Sequence, residues 1–369
     1  MFEIPFLRPK LVEKEDYMDY LKQIDDSRIY SNYGALNTLF EQRLIQELFH
    51  GDGSAVTVNN ATTGLMLAIS QAKRPGKYAL MPSFTFAATP LAAMWCGLEP
   101  YFIDIRESDW CMDEELLDRE IKRLGDDVAV VVPYAAFGTN METSFYQSLE
   151  NRGIPVVIDA AASIGSRADH HFGHGFTGTV IFSFHATKGF GIGEGGLIYS
   201  FNHEVISKLR QASNFGFNED RESRQVGLNG KLSEYAAAIG LATLNAFQDK
   251  KSKREQVFDW YLEQIEHSRL LSSGWRLQEV RGKVAHSFFS LLCPETSSSI
   301  DFVQKLASYG VQTRTYFSPC CHQQAQFRSY PQTSLTVTEQ VGRRIINLPL
   351  WEDMNQGHVR RILQVLTHE

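Results

Sequence analysis

Short apolar runs alternate with segments of helical spacing through the first two thirds of the chain. "SAVTVNN" predicts a strand that stops at an Asn-Asn pair, and "ATTGLMLAISQA" predicts the helix after it. "KYALMPS" with "FTFAATPLAAMWCG", and "EPYFIDI" with "MDEELLDREIKRL", repeat that pairing. "VAVVVPY" is a nearly continuous β-branched run, as in a strand covered on both faces. "METSFYQSLENRG" returns to helical spacing, and "IPVVIDAA" is the next buried strand. Such strand–helix alternation predicts an α/β fold, a mostly parallel sheet wrapped by helices.

The rhythm changes after Ser163. "TGTVIFSF" and "GGLIYS" predict two strands joined by a glycine-rich stretch, and helical spacing then runs from about Ser233 to His267. So long a helix is expected to carry the chain from one domain to another. The remainder, with strands such as "HSFFSLLCP" and helices such as "SIDFVQKLASYG", reads as a smaller α+β domain. The expected division is a large α/β domain over 1–248 and a small C-terminal α+β domain over 249–369, consistent with a chain of 369 residues.

Composition narrows the function classes. Hydrophobic residues make up 43% and charged residues 21%, as in an ordinary soluble globular protein. The net charge of −7, with no basic run, argues against nucleic acid as a partner. No apolar run reaches the length of a membrane span, and the first residues lack a secretory apolar core. The five cysteines (Cys96, Cys111, Cys293, Cys320 and Cys321) are odd in number and unevenly spaced. They do not suggest a disulfide framework, and a reducing, cytoplasmic setting is expected.

Candidate chemistry centres on "VIFSFHATKGFGIGEGGLIYS", Val180 to Ser200. Gly191 to Gly196 spell G-x-G-x-x-G, but a strand follows where a dinucleotide-binding helix should begin. Gly189 after Lys188 likewise breaks the Walker pattern. The plain alternative is a surface turn with an exposed lysine. Two distant features weigh against it. Asp159 ends the buried run "IPVVID", where open α/β sheets place ligands, although a helix cap is the ordinary use of such a residue. "NNATTG", Asn59 to Gly64, is a strand-to-helix turn whose amides and hydroxyls can meet an anion, or it is a simple N-cap. A lysine for a covalent link, an aspartate for a pyridinium nitrogen and a helix N-terminus for a phosphate are what pyridoxal 5'-phosphate requires.

Nearly end to end, from "IPFLRP" and "YSNYGALNTLFEQRL" to "NLPLW", the chain resembles the DegT/DnrJ/EryC1/StrS family of sugar aminotransferases, fold type I pyridoxal-phosphate enzymes. The resemblance runs through "VNNATTGLMLAI", "VPYAAFG", "PVVIDAAASIG", "SNFGF" and "GLNGKLSEYAAAIGLATL", and its most specific motif is "FSFHATKGFGIGEGG". It implies that Lys188 holds the cofactor covalently and that Asp159 pairs with the pyridinium nitrogen. It implies Ser183, Ala61 and Thr62 as phosphate ligands and Phe86 as the aromatic that stacks on the ring. Asn229 corresponds to an asparagine that reaches the neighbouring subunit's cofactor, which implies a homodimer with shared active sites. The implied reaction is ping-pong transfer of an amino group from L-glutamate, through pyridoxamine phosphate, to a nucleotide-linked ketosugar. A dTDP-4-keto-6-deoxy-D-glucose aminated at C4 is the first expectation. A dTDP-3-keto-6-deoxyhexose aminated at C3, and a GDP-4-keto-6-deoxymannose, are the alternatives. A regulatory or ligand-binding protein on the same scaffold is the alternative outside enzymes.

Departures from the family pattern stand at Ala162, where a glutamine usually contacts the cofactor's phenolic oxygen, at Ala61 for glycine, and at Lys231 for arginine. Ser163 or water is then expected to hold the phenolic oxygen. Some relatives carry histidine in place of the lysine and act as dehydratases, so Lys188 favours transamination. Lys231, His322, Tyr316 and Arg8 are candidates on the substrate side. "ADHHFGHGF", with His170, His171 and His174, reads as a surface turn rather than a metal site. "SPCCHQQ" lacks the second pair that a zinc site needs, so no metal is expected. "FDWYLEQIEHSRLL" reads as core.

Overall fold

The apolar runs become strands β1 (Ser54–Val58), β2 (Tyr78–Pro82), β3 (Glu99–Ile103), β4 (Val128–Val131), β5 (Val157–Asp159), β6 (Thr179–Ser183) and β7 (Gly196–Ser200). They are seen in a computed structural model that describes residues 2–367. β2 pairs in parallel with β3 and β4, β5 pairs in parallel with β6, and β7 runs antiparallel to both β6 and β1. Parallel bridges Val131–Val156 and Tyr134–Asp159 join the two groups, giving the order β3-β2-β4-β5-β6-β7-β1.

Alternate side chains of these strands enter two cores, one on each face, as the two-residue period of a strand requires. Leu80, Val180, Phe182, Leu197 and Tyr199 join one core, while Ala79, Met81, Ile181 and Ile198 join the other. Helices Ala61–Ala72 and Ala88–Trp95 follow β1 and β2. Gly64 brings the first of them close to the sheet, since a Cβ there would stand 3.2 Å from Ile181 Cγ2.

Ser233 caps the long helix Glu234–Glu266, its hydroxyl accepting the Ala236 N–H at 3.2 Å. The early residues Ala237, Ala238, Leu241 and Phe247 pack into a sheet core, whereas Val257, Tyr261 and Ile265 pack into a third core. The passage between the two parts of the molecule, including residue 248, therefore lies inside one continuous helix. The third core covers an antiparallel sheet of β8 (Arg276–Leu277), β9 (Phe289–Leu292) and β10 (Ile345–Leu348), and it also takes in Ile4 from the other end of the chain. Cys321, Phe327 and Leu335 instead join a core of the large sheet, so the C-terminal part reaches back across it.

Candidate active site

The ends of β5 and β6, the turn after β1 and the segment after β2 surround a cavity of about 820 Å³. Parallel strands direct their carboxyl ends to one side of the sheet, which is where such a crevice forms. Segments around Leu7, Ser287–Phe288 and Tyr316–Phe317 complete its wall from outside the seven-stranded sheet.

Asp159, the last residue of β5, is 3% exposed and lines this cavity. Thr89 Oγ1 donates to its Oδ2 at 2.6 Å, and the Ala161 N–H donates to its Oδ1 at 3.2 Å. Thr85 and Thr89 share a further hydroxyl contact of 2.9 Å. Burial pushes the Asp159 carboxyl above its ordinary range, while Thr89, the Ala161 amide and the charge of Lys188 pull it back. Burial pushes the Lys188 ammonium down, and Asp159 opposes that shift. A lysine so placed releases its proton more readily than one in water.

The anion side is built at the start of helix Ala61–Ala72. The first amides of a helix have no intrahelical acceptor. Asn60 Oδ1 takes the Thr63 N–H at 2.8 Å, and Ala61 and Thr62 line the cavity beside it. Gly196 keeps the neighbouring strand close, because a Cβ there would stand 2.8 Å from the Ala61 nitrogen. Ser183 also lines the cavity, its Oγ accepting the His185 N–H at 3.2 Å. His185 Nδ1 contacts Thr187 Oγ1 at 2.8 Å, and its Nε2 lies 3.7 Å from Glu194 Oε1. This donor set fits pyridoxal 5'-phosphate: an amine, a buried carboxylate, and hydroxyls beside the first amides of a helix.

The cavity wall thus unites Lys188, Asp159, Ser183, Ala61, Thr62, Phe86, Ala162 and Tyr316. Phe86 is 61% exposed, leaving its ring open to a ligand. The remaining candidates lie outside the wall. Asn229 is exposed and bridges Asn214. Lys231 Nζ donates to Asn214 Oδ1 at 2.7 Å and sits 4.9 Å from the Phe215 ring centroid. Arg8 is exposed, its guanidinium 5.2 Å from the Trp351 ring, although its neighbour Leu7 is on the wall. His322 is buried between Ser83 Oγ, at 2.7 Å from Nδ1, and Glu339 Oε1, at 3.2 Å from Nε2. Ser163 is fully buried with its Oγ unpartnered and is not on the wall, so the position next to it presents only the small Ala162.

Thr89, Tyr134 and Glu194 were not singled out from the sequence. Glu194 and Tyr134 line the cavity, and Thr89 reaches it through Asp159. The available signal for Thr89 was a hydroxyl in the first turn of a helix that follows a buried parallel strand.

Residues 12–367 match the DegT/DnrJ/EryC1/StrS aminotransferase family. A solved structure from Bacillus cereus ATCC 10987, classed with the PLP-dependent aminotransferases, is similar at 49% identity and a TM-score of 0.98, over 99% of this chain and 100% of that one. The structure of DesI in the presence of its TDP-sugar product is similar at 30% identity and a TM-score of 0.87, over 99% of this chain and 93% of that one. The dTDP-4-amino-4,6-dideoxy-D-glucose transaminase of Escherichia coli is 26% identical over 382 residues, 98% of each chain. The α/β fold expected from the sequence is the fold of these structures.

Proposed function

We propose, given that the chain belongs to the DegT/DnrJ/EryC1/StrS aminotransferase family and uses pyridoxal 5'-phosphate, that it moves an amino group from L-glutamate to a nucleotide-linked ketosugar. The observation that carries this reading is the meeting of Lys188, Asp159 and the Ala61–Thr62 turn in one cavity. The bound cofactor supplies an electrophilic carbon for the amino group and an electron sink for the bond-breaking that follows. Asp159, whose ionised form is favoured by Thr89 and the Ala161 amide against the effect of burial, would hold the positive charge on the ring nitrogen. Lys188 would bind the cofactor covalently, and its neutral Nζ would take the proton from the amino acid's α-carbon. Its lowered pKa supports that role. Ser183, Ala61 and Thr62 would hold the phosphate, and Phe86, open to the cavity, would pack against the ring.

A C4 amination of dTDP-4-keto-6-deoxy-D-glucose is the preferred reaction. The E. coli transaminase and the DesI complex, both similar along nearly their whole length, support a dTDP-linked sugar. The exposed Asn229 suits a homodimer in which each subunit contributes to its neighbour's site. The free cysteines suit a reducing cytoplasm. Adding L-glutamate to the cofactor-loaded protein should remove its visible absorption and yield 2-oxoglutarate. No change would sink the aminotransfer reading. NMR of products from a panel of dTDP-, UDP- and GDP-linked 3- and 4-ketosugars then decides the sugar, the position and the stereochemistry. Preference for a GDP-linked or 3-keto substrate would overturn the preferred reaction while leaving aminotransfer intact.

A further inference from the structure

Outside the aminotransferase cavity, the turn after Phe49 and the loop containing His170 to His174 bring three metal-ligating side chains together. One ring nitrogen each from His171 and His174 and one carboxylate oxygen of Asp52 all lie within 4.8 Å of one another. His174 Nδ1 is 3.1 Å from Asp52 Oδ2. His171 is buried, and its Nε2 lies 3.1 Å from Tyr199 Oη, which in turn donates to the Asp52 carbonyl oxygen at 3.3 Å. Phe49 meets the His171 ring edge-on at a centroid distance of 5.3 Å, so the ring is oriented from two sides. His170 stacks on His174 at 4.2 Å, and the His50 ring is 6.1 Å from that of His171. The proposed amino transfer uses none of these groups.

Two imidazoles and a carboxylate form a borderline donor set, suited to zinc and its neighbours and poor for calcium or magnesium. Bonds of about 2.0–2.1 Å to a tetrahedral zinc ion separate its ligand atoms by roughly 3.4 Å. The observed spread is slightly open by that measure. The exposed His174 and the half-buried Asp52 can close it by side-chain rotation while the buried His171 stays fixed. A hydrogen bond from the second ring nitrogen, such as His171 makes to Tyr199, is what metal-bound histidines ordinarily keep. We propose that Asp52, His171 and His174 form a site for a divalent transition metal of the zinc class, with a fourth position open to solvent. The ion ties the turn that leads into β1 to the loop that leads into β6.

The test uses untagged, cofactor-loaded protein, stripped with a chelator and titrated calorimetrically with zinc chloride. The expected result is one zinc per chain at micromolar affinity or tighter, with a higher melting temperature when zinc is bound. The double variant Asp52→Asn with His174→Gln alters two side chains outside the core and should weaken binding roughly 100-fold. Its cofactor absorption, unchanged from the parent, shows that the fold and the aminotransferase cavity are intact. Substoichiometric or millimolar binding by the parent, or equal binding by a double variant that retains cofactor, overturns the site.

Discussion

Two cation–anion pairs, one in the C-terminal core and one on the cavity wall, differ in whether the two charges meet directly. In the C-terminal part, Arg254 Nε meets Glu352 Oε1 at 3.0 Å, both side chains being about 5% exposed, at 5% and 6%. Arg254 Nη1 also donates to the His286 carbonyl oxygen at 2.8 Å. In the cavity, Lys188 and Asp159 act on each other through space without a hydrogen bond between them, and burial shifts both toward their neutral forms. The first pair is joined by a direct hydrogen bond, although Glu352 Oε2 has no partner among the described residues, and serves the fold. The second is held open beside a cavity, where a ligand can complete it. Burial of charge alone does not mark a functional site; opposite charges held apart beside a cavity do.

The largest effect should come from the open pair. Lys188→Ala removes both the covalent anchor and the proton carrier, and steady-state transamination should fall by about 10⁴-fold or more. The melting temperature should change little, because no ion pair is broken. Substantial residual turnover would remove Lys188 from the chemistry. The closed pair should behave in the opposite way. Arg254→Met leaves the buried Glu352 with only the 4.0 Å contact of Lys250 and should cost up to about 3–5 kcal/mol of stability in urea unfolding. The rate per folded molecule should stay near that of the parent. A variant that folds normally but loses activity would erase the distinction between the two pairs.

Thr89 tests how the open pair is tuned. Thr89→Val keeps the shape but removes the 2.6 Å donor to Asp159 Oδ2. A hydrogen bond to a charged group is worth about 1.5–3 kcal/mol, equivalent to roughly 1–2 pKa units. The bond favours the ionised carboxylate, so its loss raises the Asp159 pKa further. The acid limb of the kcat/KM profile should therefore move to higher pH, and Thr89→Ser should restore it. An unmoved acid limb would make Thr89 a packing residue only.

His286, beside Arg254, gives the closed region its own pH signature. Burial, helped by the Arg254 charge, lowers its pKa from 6.5 to about 3. The unfolded chain therefore binds this proton more readily than the folded one, so the stability is complete above about pH 6.5 and declines as pH falls toward 3. At about pH 5 the loss is about 2 kcal/mol. His286→Gln should flatten the dependence of the urea midpoint between pH 7 and 5. An unaltered slope would refute the assignment.

Much of this contrast was readable before folding, but not all of it. The seven strands of the large sheet stood out because strands covered on both faces must be apolar along their length. Asp159 stood out because it ends such a run, Lys188 because it stands between such a run and a glycine-rich turn, and Ser183 through the family resemblance. Helix Ala35–Leu48 was not read, and its packing shows why. Its buried face carries Asn37 and Glu41, which bind Thr57 of β1: Asn37 Nδ2 donates to Thr57 Oγ1 at 2.8 Å, and Glu41 Oε1 accepts the Thr57 N–H at 2.8 Å. Polar residues on the inner face interrupt the apolar stripe by which a helix is recognised. Thr89 was hidden for a different reason. Its partner is 70 residues away, and only the sheet order brings β2's following helix to the end of β5.

His322 supplies the smallest expected effect and the sharpest control. The family resemblance implied a substrate contact for this histidine, but the folded chain gives both of its ring nitrogens protein partners. Ser83 Oγ lies 2.7 Å from Nδ1 and accepts the His322 backbone N–H at 3.0 Å, while Glu339 Oε1 lies 3.2 Å from Nε2. Both ring nitrogens are therefore partnered, and the ring lies off the cavity wall. His322→Gln retains a donor and an acceptor near these partners and should lower stability by about 1 kcal/mol. KM for glutamate and for the ketosugar should each stay within about twofold, because less than about 0.4 kcal/mol separates such values. A large rise in the ketosugar KM at unchanged stability would place this histidine against the substrate, and protein partners at both ring nitrogens would then no longer mark it as structural.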